Sequence, residues 1–218
     1  MLVFGTTNIS NAQVSVGVKI GANIADVRSS GVINDLLPNT NSYTGFTVGA
    51  IAEIPISNSF SFRPELNYTQ KGFSTGLATG FSVIGINLPI GVRANTRINY
   101  VETPLLIKYS IGNENAKFYA IAGPTISYAA NAHLRPIASL IIDINLPRVN
   151  IDLSNDLYNR IEVSATLGAS GEIKAGHGKL FADVRYNYGL TNMLSNPLIN
   201  LTLQNTGVAL TAGYAYTF

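Results

Sequence analysis

The chain has 218 residues, only 12% of them charged, and its net charge is +2. An ordinary globular domain carries about 25% charged residues, and a nucleic-acid-binding protein shows a basic face or stripe, so we expect no nucleic-acid partner. The chain has no cysteine and two histidines, which excludes a disulfide framework, a thiol nucleophile and a cysteine-ligated or multi-histidine metal site. We therefore expect no cofactor and no metal.

The hydropathy of the chain points to a membrane. Its mean hydropathy of +0.22 is high for a soluble protein, yet no run of about 20 apolar residues is present to form a transmembrane helix. Glycine and tyrosine are abundant, at 20 and 11 residues. An apolar bias without a helical span favours a membrane β-barrel, in which only alternate residues of each strand face lipid.

The N-terminal segment MLVFGTTNISNA, residues 1–12, ends like an export signal. Ser10 and Ala12 are small residues suited to a cleavage site that would leave Gln13 as the new N-terminus, although the basic start of such a signal is missing. We interpret residues 1–12 as the remnant of an export signal or a disordered N-terminus. Residues 13–218 then form a single barrel domain.

Period-two alternation of apolar and polar residues dominates the rest of the chain, and it indicates strands, because successive side chains of a strand point to opposite faces. The pattern predicts eight strands, at residues 14–23, 44–55, 60–73, 97–111, 116–130, 160–174, 179–190 and 207–218. Each is long enough to cross a bilayer as a tilted strand, which takes about 9–11 residues. In the strand at 116–130 both faces are apolar, so its orientation stays open.

The connections alternate in length. Short turns are predicted at 56–59, 112–115 and 175–178, and long connections at 24–43, 74–96, 131–159 and 191–206. The charge-free stretch at 72–92 is rich in glycine and contains a proline, so we interpret it as an external loop with strand extensions rather than as a helix. The predicted fold is all-β: an eight-stranded antiparallel up-and-down transmembrane β-barrel with short periplasmic turns and long external loops.

One face of the predicted strands carries nearly balanced charges: Lys19, Glu53, Arg63, Glu65, Glu102, Lys108, Glu172, Asp183 and Arg185. The lumen of an eight-stranded barrel is just wide enough for side chains to fill it, and buried charges must be paired. We therefore expect a salt-bridged polar plug. A narrow ion path and a catalytic carboxylate pair stay open as alternatives.

The C-terminus has large apolar residues at alternate positions, Tyr214, Tyr216 and Phe218. This pattern resembles the signal read by the barrel-assembly machinery, and the same residues also suit an interfacial aromatic girdle. The expected partners are that machinery during biogenesis and the lipid of the outer membrane.

The third long connection is unusually apolar for a loop. Leu140, Ile142, Ile144 and Leu146 lie in it and are our candidates for an external binding surface. His133 lies where this loop begins, near Ser127 and Ser139, but no compact nucleophile signature accompanies it. We therefore expect no catalytic residues.

Five segments carry a family resemblance: GVKIGANIADV (17–27), VETPLLIKYS (101–110), AGPTISY (122–128), DVRYNYGLTN (183–192) and GYAYTF (213–218). Together they resemble the PorT-like outer-membrane β-barrel family, common in Bacteroidetes. The resemblance implies an eight-stranded barrel in a bacterial outer membrane. It implies little about function, since one branch serves protein secretion and no catalytic residues are carried over.

Four functions remain as hypotheses. The first is a non-enzymatic barrel with a plugged lumen that acts through its external loops in adhesion, partner docking or ligand capture. The second is a narrow channel or a secretion or transport accessory protein. The third is a lipid-acting membrane enzyme with His133 as a base. The fourth is a soluble lipocalin-like binder, which would require the apolar faces to point inward.

Overall fold

The computed structural model describes residues 13–30, 40–83, 86–139, 143–145, 147, 149–151, 153, 159–192 and 202–218. They contain ten strands: β1 (Ser15–Ser30), β2 (Thr40–Pro55), β3 (Phe60–Val83), β4 (Ile86–Gly112), β5 (Ala116–Ser139), β6 (Asp143–Asn145), β7 (Val149–Ile151), β8 (Ile161–Ala175), β9 (Gly178–Gly189) and β10 (Thr202–Thr217). The interpretation of residues 1–12 falls outside the described residues. No helix among the described residues is long and apolar enough to cross a membrane.

Eight of these strands close into a barrel. β1 to β5 and β8 to β10 pair antiparallel in chain order, with β5 followed by β8. The first and last strands close the ring through an unbroken register from Ser15 opposite Thr217 to Ser30 opposite Thr202. The predicted fold is confirmed: the protein is an all-β, eight-stranded antiparallel up-and-down barrel.

The two faces of the strands are sorted inside out relative to a soluble protein. Outward residues are aliphatic and exposed, as shown by Val18 at 66%, Ile20 at 65% and Leu167 at 63% exposure. Inward residues include Arg63 at 1% and Asp183 at 0%. The hypothesis of a soluble lipocalin-like binder is therefore wrong, because it required the apolar faces to line the interior.

The same alternation settles the orientation of β5, which the sequence left open. Phe118 on this strand is 80% exposed, whereas Tyr119 and Ile121 are buried.

Aromatic side chains lie on the outer surface near the short turns, where the ring of Phe60 is 4.9 Å from that of Tyr109. Others, including Tyr128, lie on the same surface towards the opposite end.

The short turns lie where the sequence predicts them, and both described chain ends lie beside them. Between β8 and β9 the turn is made by Gly176 and His177. Gly176 has a φ of 62°, in the left-handed region that glycine enters without a steric penalty. A single glycine thus fixes this tight hairpin.

The barrel wall is unequal in height at the end away from the short turns. β4 has 27 residues and β3 and β5 have 24 each, whereas β9 has only 12. The pairing of β3 with β4 continues as far as Val83 opposite Ile86. Beyond Tyr128, where its pairing with β8 ends, β5 pairs instead with β7 and β6.

The strands of the structure correct the expected loop at 74–96 almost throughout, and those at 24–43, 131–159 and 191–206 in part. Most of 74–96 is paired strand, and residues up to Ser139 continue β5. The sequence-based strand ends were too early because paired backbones satisfy their own hydrogen bonds outside a membrane as well as inside one. The proposed strand extensions in 72–92 are confirmed, with residues 84–85 outside the described part.

Candidate functional site

All nine charged residues expected in the lumen are buried and face the barrel interior. They are Lys19, Glu53, Arg63, Glu65, Glu102, Lys108, Glu172, Asp183 and Arg185. With three further charged side chains they form three layers stacked along the barrel axis. We call these the lower, middle and upper layers, counted from the short turns.

The lower layer consists of two lysines and two glutamates. The Lys108 ammonium lies 2.9 Å from a carboxylate oxygen of Glu53 and 2.5 Å from one of Glu172. The Lys179 ammonium lies 2.6 Å from Glu53 and 3.4 Å from Glu172. Each carboxylate thus contacts both ammonium groups, and the layer is neutral.

The middle layer is built on two arginines. Arg185 donates to both carboxylate oxygens of Glu65 at 2.8 Å each, a bidentate contact, and it also donates to Asp183. Arg63 lies 3.0 Å from Glu65 and 3.0 Å from Asp183. The Lys19 ammonium lies 2.5 Å from Glu65, so this carboxylate holds three cations together.

Two inward aromatic side chains complete the middle layer. The hydroxyl of Tyr119 accepts a hydrogen bond from Arg63 at 2.9 Å and donates one to Asp183. The ring of Phe181, an apolar residue on a polar face, lies beneath the Arg63 guanidinium at 4.7 Å. A cation–π contact of this kind is strengthened where water is excluded.

The upper layer carries one cation and two carboxylates. The Lys71 ammonium lies 2.6 Å from Glu102, and Glu102 also accepts hydrogen bonds from Thr69 at 2.8 Å and Ser127 at 3.1 Å. Beside this pair, Glu162 accepts hydrogen bonds from Tyr100 and, at 2.6 Å, from Asn205. Above it lies an apolar cluster of Ile98, Tyr100, Ala129, Ala132 and Leu153.

The nine expected residues leave out Lys71, Glu162 and Lys179, which the structure adds to the layers. The signal for them is present in the sequence. The alternation that places Asp183 and Arg185 in the lumen also places Lys179 on the same face, four and six residues away. With these additions the layers hold six cations and six carboxylates.

Glycine on one side of the barrel makes room for these long side chains. A Cβ at Gly213 would lie 2.5 Å from Cζ of Phe181 and 2.3 Å from the carbonyl oxygen of Val18. A Cβ at Gly49 would lie 2.1 Å from Oδ1 of Asn67. A larger inward side chain thus lies beside a glycine at the paired position of the neighbouring strand.

Little free space remains between the layers. An interior cavity of about 20 Å³ lies among Lys19, Arg185, Glu102 and several threonines. At the short-turn end the lumen opens into a vestibule of about 1100 Å³, whose lining includes Glu53, Glu172 and Lys179 of the lower layer. The vestibule therefore ends at the first layer of ion pairs.

The other expected site residues are more scattered. Tyr214, Tyr216 and Phe218 lie on the outer surface at the short-turn end, with exposures of 36%, 44% and 71%. The Phe218 backbone N–H donates to the Val14 carbonyl at 3.1 Å, so the C-terminus pairs with the first strand. Of the four loop candidates, Leu140, Ile142 and Leu146 lie outside the described residues, and Ile144 is the central residue of β6.

His133 does not contact Ser127, one of the two serines proposed near it. Its Nδ1 lies 2.8 Å from Oδ1 of Asn150. Ser127 instead faces the lumen, where it donates to Glu102. His133 pairs with Arg97 of β4. Arg97 lies between the buried residues Thr96 and Ile98 and so faces outward, and its partner His133 lies on the same outward face.

The sequence of this barrel matches a known protein family. The profile described as "Outer membrane protein beta-barrel domain" matches residues 9–195. The chain belongs to this family. It is accordingly a protein of the bacterial outer membrane, and the short turns of such barrels face the periplasm while the long connections face outward.

The solved outer-membrane proteins that match the chain are distant from it in sequence. The outer membrane protein OprG from Pseudomonas aeruginosa matches with a TM-score of 0.51 at 8% identity, over 95% of this chain and 96% of that chain. Neisserial surface protein A matches with a TM-score of 0.45 at 14% identity, over 94% and 97%. Ail, the attachment invasion locus protein of Yersinia pestis, matches with a TM-score of 0.40 at 15% identity, over 94% and 99%. No curated protein matches the chain significantly.

Proposed function

We propose that this protein is a non-enzymatic, non-conducting barrel that acts through its external surface, in adhesion, partner docking or ligand capture. The observation that carries this proposal is the filled lumen. Three layers of paired charges occupy it, and the cavity between them, about 20 Å³, holds no more than about one water molecule. The surface available to a partner is then the tall wall of β3, β4 and β5 with the short strands β6 and β7.

Conductance in a planar bilayer tests the plugged lumen. We expect the refolded protein to show no steady conductance. A variant with Arg63→Ser, Glu65→Ser, Asp183→Ser and Arg185→Ser removes two cations and two carboxylates of the middle layer without changing the net charge. This variant should still not conduct, because the lower layer continues to separate the vestibule from the interior cavity. Adding Glu53→Ser, Lys108→Ser, Glu172→Ser and Lys179→Ser removes the lower layer as well, again without changing the net charge, and should let the vestibule reach that cavity and allow conduction. Steady conductance of the unchanged protein would refute the plug.

That refuting result would favour the second candidate, a narrow channel or a secretion or transport accessory protein. The vestibule of about 1100 Å³ supports this candidate, because it brings water as far as Glu53 and Glu172. A PorT-like role in secretion belongs to the same alternative and rests on the five segments that resemble that family.

The loop residues Leu140, Ile142, Ile144 and Leu146 remain our candidates for the external contact surface. We expect Leu140→Ser with Ile142→Ser to leave the barrel folded. The measurement is the mobility shift between boiled and unboiled samples on a gel. Loss of that shift would mean that these residues support the fold rather than contact a partner.

A further inference from the structure

Among the described residues, the middle layer has one more cation than it has carboxylates. Its cations are Lys19, Arg63 and Arg185, and its carboxylates are Glu65 and Asp183. All five residues are at most 4% exposed, so solvent and salt screen their charges little. A buried charge is costly unless it is paired. The middle layer thus carries a surplus of one positive charge at the centre of the barrel.

The interior cavity of about 20 Å³ lies beside two of these cations, Lys19 and Arg185. The Lys19 ammonium has three N–H donors, and among the described residues it donates one hydrogen bond, to Glu65. The terminal nitrogens of Arg185 donate to Glu65 and Asp183, whereas its Nε–H has no partner in the described part of the chain. Buried donors in folded proteins nearly always have an acceptor. These donors therefore favour a group in the cavity that accepts hydrogen bonds.

Two acceptors at the cavity do not serve these donors. Glu102 lines the cavity, but its oxygens accept hydrogen bonds from two hydroxyl groups and from Lys71, with which it forms a neutral pair. Oδ1 of Asn67 lies 2.1 Å from the place that a Cβ of Gly49 would take. It therefore fills the side-chain space of that glycine at the barrel wall. The spare hydrogen-bonding capacity of Lys19 and Arg185 is thus directed to a ligand.

The size of the cavity limits this ligand to a single small particle. A volume of about 20 Å³ holds about one water molecule, and a chloride ion is only slightly larger than water. Sulfate, phosphate and carboxylate groups are too large. A water molecule would accept hydrogen bonds from both side chains but would leave the surplus charge in place. A chloride ion would accept the same hydrogen bonds and would also neutralise the layer.

We propose that this cavity binds one chloride ion, held by the Lys19 ammonium and the Nε–H of Arg185. The lower layer separates the cavity from the vestibule, so the ion is a structural part of the filled lumen rather than a permeating ion. The proposal goes beyond the proposed function, and it does not depend on what the external surface contacts.

Anomalous X-ray diffraction from crystals of the protein refolded in bromide tests the site directly. Bromide is the probe because it replaces chloride chemically and scatters anomalously. We expect an anomalous peak in the cavity, within hydrogen-bonding distance of Lys19 and Arg185. Density at that place without an anomalous signal would identify a water molecule and would overturn the proposal.

Urea unfolding in uncharged detergent micelles tests the same site in solution. Chloride is exchanged for gluconate, which is too large for the cavity, at constant ionic strength. We expect a tenfold rise in chloride to lower the unfolding equilibrium constant by up to about tenfold, because the ion binds the folded state only. Lys19→Met removes the surplus charge and should abolish this dependence. Ala209→Val should abolish it without a change in charge, because Ala209 lines the cavity and the added methyl groups fill it.

The matched control is Lys108→Met, the same substitution in the lower layer, where Lys108 contacts Glu53 and Glu172. This variant should be less stable but should keep the chloride dependence. Loss of the dependence in this control, or its persistence in Ala209→Val, would overturn the proposal in favour of a general effect of salt. The absence of any dependence in the unchanged protein would overturn it too. The mobility shift on a gel verifies folding, and Ala209→Val decides the matter if Lys19→Met does not refold.

Discussion

The charged side chains in the lumen have partners on other strands, even where, as for Arg63 with Glu65 and Arg185 with Asp183, they also contact a residue two positions away on their own strand. Lys108 on β4 illustrates this, because it contacts Glu53 on β2, Glu172 on β8 and, at 4.2 Å, the ring of Tyr119 on β5. The two ion pairs cross the interior and link strands that are not adjacent. The luminal charges therefore connect the wall from the inside, in addition to the hydrogen bonds between strands.

Replacing Lys108 should destabilise the barrel. Breaking a buried ion pair costs about 3–5 kcal/mol, and we expect Lys108→Met to fall near 3 kcal/mol because Lys179 still contacts both glutamates. The measurement is urea unfolding in detergent micelles. Lys174→Met, at an exposed position of β8, is the control and should change little.

The double variant Lys108→Met with Glu172→Gln tests whether charge is the cause. It removes one cation and one carboxylate from the lower layer and keeps that layer neutral. We expect it to be more stable than Lys108→Met alone. If it were less stable, packing of the lysine stem rather than ion pairing would account for the loss.

A glycine facing a large side chain should tolerate no addition. Gly213→Ala would place a Cβ 2.5 Å from Phe181 and 2.3 Å from a backbone oxygen, and overpacking of this kind costs about 1–3 kcal/mol. We expect a lower urea midpoint. Gly171→Ala is the control, because its nearest neighbour would be 3.9 Å away, and an unchanged midpoint is expected there. Equal midpoints for both variants would show that the close approach at Gly213 relaxes without cost.

On the scale of single strands, the outward faces form the contact with lipid. Leu167 on β8 and Ile56 in the first short turn are almost equally exposed, at 63% and 64%. Leu167 lies within a paired strand, opposite Ala122 and Tyr186, whereas Ile56 lies in the turn beyond the strand end. Exposure alone therefore does not distinguish them, and depth in the bilayer does.

We expect Leu167→Arg to destabilise the protein in lipid vesicles by about 2–4 kcal/mol, and Ile56→Arg by about 0–1 kcal/mol, because the cost of a lipid-facing charge falls towards the interface. The measurement is unfolding from vesicles in guanidinium chloride. Equal effects of the two changes would mean that Leu167 does not face the hydrocarbon core.

The sequence predicts the strands well where one face is polar, as in β9 and in the parts of β1 and β3 nearest the short turns. It predicts them less well where strands leave the membrane. There the alternation no longer reports a lipid face, so residues such as Phe81 and Val83 were assigned to a loop although they continue β3. The periodicity of apolar residues reflects burial and lipid contact. Backbone pairing depends on neither, so a strand can continue where the periodicity ends.

The charged lumen could be predicted as a set of residues but not as layers. Alternation places Glu65, Asp183 and Arg185 on the polar face of their strands. It contains no information on the height of each residue along the barrel axis. Those heights follow from the stagger of the eight strands, which is fixed only when the barrel closes. The sequence does not predict that Tyr100 and Phe181 face the lumen, for a related reason. An aromatic side chain fits there only beside a small residue, and alternation does not show which residues of neighbouring strands lie side by side.

For the whole molecule, the C-terminal residues raise a question of biogenesis. We expect Phe218→Ser to reduce the amount of barrel assembled in cells, because Tyr214, Tyr216 and Phe218 form the proposed assembly signal. The purified variant should refold in detergent as the unchanged protein does. Phe118→Ser is the control, since Phe118 lies at the same end and is 80% exposed against 71% for Phe218. An equal assembly defect in the control would point to a loss of interfacial aromatic anchoring instead.

The unequal height of the wall makes the external end of the barrel asymmetric, with β4 on the taller side and β9 on the lower side. β4 is 15 residues longer than β9, 27 against 12, which corresponds to about 50 Å of additional strand. Within the described residues, a large particle that approaches along the membrane meets less wall on the side of β9 than on the side of β4. On the side of β4 it first meets the extended, paired ends of β3, β4 and β5. A partner that lies over the mouth and contacts this taller wall would meet it on one side only, which would fix the orientation of the partner relative to the barrel.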